Sequence, residues 1–200
     1  WKTNLTTPKA GGPYIIIVLN GSEIKTINNV LIGEVWLCSG QSNMEMPLKG
    51  FPGQPVIEGN DAIVKSSNKN IRLITVPRAT VLEPKDDFEG HWEVAGPQTT
   101  GRFSATAWYF GSLLQEVLQV PVGLIHVSYG GSNVEAWMNK EMLEDFDNTL
   151  PFPKTESDLK SNPNRVPTTL FNGMLSPVIG YGIKGAIWYQ GESNYERPFE

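Results

Sequence analysis

Three short polar blocks in this 200-residue chain carry residue types suited to acyl transfer: Gly40-Gln41-Ser42-Asn43, Gly130-Gly131-Ser132 and Gln190-Gly191-Glu192-Ser193-Asn194. A serine on a tight turn between a strand and a helix exposes its hydroxyl, and backbone N–H groups of that turn can face a developing oxyanion. Ser42 has the sequence context of such a turn. Gly130-Gly131 lets a second strand end approach closely and offers another N–H. Gln190 and Asn194 add amide donors from a third. Several donors around one serine suit a tetrahedral intermediate, each contributing about 3–4 kcal/mol.

The elements around these blocks must bring them together. Val35-Trp36-Leu37-Cys38, Leu124 to Tyr129 and Ile183 to Tyr189 are strand-like runs that end in the three blocks, and Ile71 to Val76 is a further strand. Phe103, Ala107, Phe110, Leu114 and Val117 recur at helical spacing and predict one amphipathic helix. Strands alternating with helices imply a parallel sheet with right-handed crossovers. The carboxyl ends of such strands share one edge, so the blocks converge there. Before Gly33 the grammar differs: Tyr14 to Leu19 is β-branched, Asn20-Gly21 signals a hairpin, and Glu23 to Ile32 is its return strand. Residues 49–70 read as a loop with a short helix, 145–167 as a surface or lid loop, and 170–175 as a short helical piece.

Composition narrows the function classes. Sixteen basic residues against twenty-one acidic give a net charge of −5, which argues against nucleic acid as partner. No apolar run is long enough to span a membrane. Cys38 is the sole cysteine, so neither an intrachain disulfide nor a zinc-type cluster is expected, and no metal or cofactor is called for. His91 and His126 are the only histidines. Asn4-Leu5-Thr6 is a glycosylation sequon.

The block Gly40-Gln41-Ser42-Asn43-Met44-Glu45 resembles the nucleophile block of the sialate O-acetylesterase family, within the SGNH hydrolase superfamily. Phe103-Ser104-Ala105-Thr106-Ala107, Gly130-Gly131-Ser132 with Glu135-Ala136-Trp137, and Trp188 to Asn194 support the resemblance in order and spacing. It implies a three-layer α/β/α, flavodoxin-like domain over 34–200, incomplete at its C-terminus, preceded by residues 1–33 as the end of a β domain. It also implies metal-free hydrolysis of sugar acetyl esters, with Ser42 as nucleophile. Its own N–H, Gly131, Gln190 and Asn194 form the oxyanion hole, and Glu192 is a supporting orienter. An O-acetylated carbohydrate is the implied substrate, and an extracytoplasmic compartment is the implied location. The family's base is a His three residues after an Asp. Neither His91 nor His126 has that context, and nothing after Asn194 matches it. The chain therefore reads as part of a longer protein, with the Asp-x-x-His block on a companion segment or chain.

Other readings stand beside this one. Cys38 lies inside a strand, as a buried inert thiol would, rather than on a turn. Glu34 and Glu192 make a formal glycosidase pair without further support. Trp36, Trp108 and Trp188 are expected in the core; Trp137 and Tyr189 are candidates to line a sugar cleft. Glu135 is a candidate for that cleft or for a helix-start carboxylate. Acetylated xylan is the rival substrate, and a sugar-binding module without catalysis is the rival from another class.

Overall fold

The computed structural model describes residues 5–146 and 151–195; the Asn4 sequon lies outside them. Strands β1 (Gly11–Asn20) and β2 (Glu23–Ile32) form an antiparallel hairpin. Asn20 pairs with Glu23, so the loop is Gly21-Ser22, one residue later than the Asn-Gly signal suggested. Gly21 takes the φ of 58° that a glycine-first loop requires.

The remaining strands build one sheet in the order β5-β4-β6-β3-β7. Strands β3 (Glu34–Gly40), β4 (Asn68–Thr75), β6 (Val122–Ser128) and β7 (Gly185–Tyr189) are mutually parallel. The short β5 (Glu93–Ala95) pairs antiparallel with β4 at the far edge, inside a segment that carried no strand signal. Among the described residues five α-helices accompany them: α1 (Ser42–Glu45), α2 (Gly59–Val64), α3 (Pro97–Thr100), α4 (Ala105–Leu118) and α5 (Lys140–Leu143).

Alternation along the strands makes two cores, one on each sheet face. Cys38, Ile71, Leu73, Val122 and Leu124 face Met44, Leu48, Phe103, Ala107 and Trp108. Ile74, Val76, Ile125 and Val127 face Ala136, Trp137, Leu170 and Met174 on the other side. This is the three-layer arrangement that the family resemblance implied, each fully buried Leu or Ile contributing about 1.5–3 kcal/mol.

Helix α4 starts where Ser104 Oγ accepts from Ala107 N–H at 3.1 Å. Its buried stripe runs through Ala107, Trp108, Gly111 and Gln115, leaving Val117 69% exposed against expectation. Two contacts turn the helix that way. A Cβ on Gly111 would come 2.5 Å from Leu124 Cδ1, and Gln115 Oε1 accepts from Asn68 Nδ2 at 2.8 Å. Trp108 is core as expected, whereas Trp36 is half-buried against Phe110. Trp188 and Trp137 exchange their expected places: Trp188 is 44% exposed and Trp137 only 3%. β7 is an edge strand among the described residues, so its side chains gain cover on fewer sides.

Candidate active site

The three blocks meet at the carboxyl edge of the sheet. β3 leaves between its neighbours: Gln41 N–H donates to Tyr189 O at 2.9 Å, and Tyr129 N–H donates to Gly40 O at 3.2 Å. Gly40 has φ 140°, and a Cβ there would lie 2.0 Å from Tyr189 O, so only glycine permits this crossing. Ser42 opens α1 immediately afterwards, exposed. Among the described residues neither the Ser42 N–H nor the Gly131 N–H meets a protein acceptor.

The second block abuts the serine. A Cβ on Gly130 would stand 3.5 Å from Ser42 Cβ. The turn is held at three points. Gly130 N–H donates to Glu45 Oε2 at 2.7 Å, Asn164 Nδ2 donates to Gly130 O at 3.0 Å, and Arg165 Nε donates to Gly131 O at 3.0 Å. A trans peptide places its C=O and N–H on opposite sides. With the Gly130 carbonyl turned to Asn164, the Gly131 N–H of the same peptide points away from it. Glu45 also pairs with Arg78, whose guanidinium stacks 4.5 Å from the Tyr129 ring centre.

The third block is tied to the first. Buried Gln41 accepts at Oε1 from Gly191 N–H at 3.4 Å and Ser193 N–H at 3.3 Å. Asn43 Nδ2 donates to Glu192. Gln190 donates from Nε2 to Ser132 O at 2.7 Å, while its Oε1 is buried without a partner among the described residues. Asn194 accepts from Val134 N–H at 3.0 Å and donates to Glu135 Oε2 at 2.9 Å.

The cleft expectation divides. Tyr189 is exposed at the end of β7. Trp137 is buried, donating from Nε1 to Ser132 Oγ at 2.8 Å and meeting Trp188 edge-on at 5.8 Å, so it supports the second block from behind. Glu135 is likewise buried, in the first turn of the 3-10 segment Val134–Trp137. Glu34 begins β3 and the site lies at its end, about 20 Å away over seven residues at roughly 3.3 Å each, which removes the Glu34–Glu192 glycosidase pair.

Neither described histidine stands ready as base. His126 is 6% exposed in β6; its Nε2 lies 2.6 Å from Ser128 Oγ and its Nδ1 3.5 Å from Thr75 Oγ1. Burial lowers its pKa to about 4, with a hydrogen bond to the Met44 backbone opposing and the Arg78 charge reinforcing. His91 is exposed beside Glu93, at the far edge of the sheet. Three strand spacings of about 4.8 Å separate that edge from β3. Cys38 is fully buried, and burial pushes its thiol up to about 12, as an inert core thiol requires.

Gln41, Glu45, Arg78, Asn164 and Arg165 were assigned no role by sequence reasoning. Gln41 had one signal, a buried-strand exit occupied by a polar residue. Asn164 and Arg165 had none, because they act on backbone carbonyls 34 residues away.

A model of the carbohydrate esterase family described as sialic acid-specific acetylesterase matches residues 32–199. Human sialate O-acetylesterase is 32% identical over 209 residues, covering 97% of this chain and 38% of the human protein. The rat sialate O-acetylesterase is 29% identical over 235 residues, covering 97% and 42% respectively. A solved carbohydrate acetylesterase from Xanthomonas citri superposes with a TM-score of 0.84 at 34% identity, covering 97% of this chain and 41% of that one. The chain thus spans about two-fifths of the length of these relatives. With the family model matching residues 32–199 and the human relative 32% identical over nearly the whole of this chain, the chain belongs to the sialic acid-specific acetylesterase family of carbohydrate esterases.

Proposed function

We propose that the whole protein is a serine esterase that removes O-acetyl groups from carbohydrate, with O-acetylated sialic acid as its substrate. One observation carries this reading: exposed Ser42 lies beside the Gly130–Gly131 turn, and among the described residues neither the Ser42 N–H nor the Gly131 N–H meets a protein acceptor. Ser42 Oγ attacks the acetyl carbonyl carbon, and its proton passes to an imidazole. The carbonyl electron pair moves onto oxygen, where the Ser42 and Gly131 N–H groups donate to it, each worth about 3–4 kcal/mol. Gln190 adds its second Nε2 hydrogen, and Asn194 fixes the third block through Val134 and Glu135. Collapse expels the sugar hydroxyl with the imidazole's proton. Water, deprotonated by the same imidazole, then releases acetate from the acetyl-serine.

The imidazole is the part this reading takes from elsewhere in the whole protein, on the Asp-x-x-His block that the resemblance implies. His126 and His91 are committed or remote as described above. Residues 1–33 are proposed to close a preceding β domain; the outward apolar side chains Ile15, Ile17, Leu19 and Ile24 support that. An extracytoplasmic location accords with a carbohydrate-processing family.

The test is acetate release by the whole protein from O-acetylated sialic acid and from acetylated xylan. Wild type hydrolyses the first, and Ser42→Ala lowers kcat by about ten-thousand-fold or more. Equal rates for the two proteins would overturn the serine mechanism. Exclusive turnover of xylan would move the substrate, and no turnover at all would favour a binding module.

A further inference from the structure

Two arginines bracket the Gly130–Gly131 turn in a chain of net charge −5. Arg78 is committed to Glu45 and to the Tyr129 ring. Arg165 is not. Its Nε donates to Gly131 O at 3.0 Å, its side chain is exposed, and among the described residues neither Nη meets an acceptor. The described ion pairs of arginine and lysine use Lys65, Arg78, Arg102 and Lys184 instead. The acidic groups nearest the turn are already engaged: Glu45 by Gly130 N–H and Arg78, Glu135 by Asn194, Glu192 by Asn43. An anion brought to this place therefore finds an open guanidinium.

Resting on the acetylesterase reading above, we propose that Arg165 is the carboxylate-binding residue of the site, its Nη groups receiving the carboxylate of an acetylated sugar acid whose ester lies at Ser42. A guanidinium presents a planar fork that matches a carboxylate with two parallel hydrogen bonds. The backbone bond through Nε holds that fork before the ligand arrives, which reduces the ordering cost of binding. Arg165 grips Gly131, and a Cβ on Gly130 would stand 3.5 Å from Ser42 Cβ, so one glycine pair lies between anchor and nucleophile. A neutral acetylated sugar gains nothing from this anchor.

The experiment compares two substrates in the whole protein: an O-acetylated sialic acid and the same sugar with its carboxylate converted to a carboxamide. Acetate release gives kcat/KM for each. Wild type prefers the acid, and Arg165→Gln lowers the acid-to-amide ratio about ten- to hundredfold, mainly through KM. Any loosening of the glycine turn lowers both rates and cancels in the ratio. An unchanged ratio, or a wild type indifferent to the carboxylate, overturns the proposal. A second measurement needs no variant: the deacetylated sugar acid competes at least tenfold better than its carboxamide, and equal inhibition overturns the proposal equally. Turnover of neither sugar by wild type would instead overturn the esterase reading, and this inference with it.

Discussion

Asn164→Ala isolates the geometric premise of the proposed oxyanion hole. The substitution deletes one hydrogen bond, 3.0 Å from Asn164 Nδ2 to Gly130 O, and touches neither the serine nor any N–H. Its cost to stability is about 0.5–1.5 kcal/mol, the net value of such a bond. Its cost to catalysis is larger and of different origin. The Gly130 carbonyl and the Gly131 N–H belong to one rigid plane, so releasing the first releases the second. Gly131, at φ 70° and without a Cβ, offers little resistance to rotation. A donor that turns well off line loses most of its strength. Losing roughly half of the 3–4 kcal/mol that an oxyanion donor supplies lowers kcat about 10- to 30-fold. KM stays close to wild type, because the N–H acts on the transition state. Asn164→Asp, equal in size but presenting an acceptor to the carbonyl, falls at least as far. Steady-state kinetics on an acetyl ester, with thermal melting in parallel, reads both effects. A kcat within twofold of wild type in a variant whose melting point has dropped would refute the reasoning.

Three further outcomes follow from the same contacts. Cys38, held near 12 by burial, stays unlabelled by thiol reagents at pH 8 in the native protein and reacts only after denaturation; rapid native labelling would contradict its placement. For His126 the folded pKa of about 4 lies below the unfolded 6.5, so the unfolded chain protonates first as pH falls. Stability therefore declines from about pH 6.5 to about pH 4, by on the order of 3 kcal/mol, and levels below. Urea titrations should show this slope flattened in His126→Gln, and an identical slope would remove His126 as its source. Asn194→Asp sets a second carboxylate where Nδ2 now donates to Glu135 at 2.9 Å, raising one carboxyl pKa in the folded state. The variant is then less destabilised at pH 4 than at pH 8, and a pH-independent difference would argue against that contact.

The three blocks and the parallel strands that end in them were legible in the sequence, because each signal is local: apolar runs ending in glycine or small polar residues; the layering came only with the family resemblance. What escaped it depends on partners distant in the chain. Trp137 and Trp188 carry the same side chain near similar turns, and only the edge position of β7 and the Ser132 hydroxyl decide which is buried. Val117 fits the helical period, yet Gly111 packed on Leu124 and Gln115 bonded to Asn68 rotate the last turn of α4 outward. The loop read as a surface or lid segment supplies Asn164 and Arg165, which grip backbone oxygens that any residue carries, so no pattern announces the pairing.

Ser42 is the residue proposed to carry the covalent intermediate, and peptide mass analysis of the rapidly quenched whole protein detects it. During turnover of an acetyl ester, one acetyl group is expected on the peptide containing Ser42 and none in Ser42→Ala. Continued hydrolysis with that peptide unmodified, or an acetyl group retained by Ser42→Ala on another residue, would contradict it.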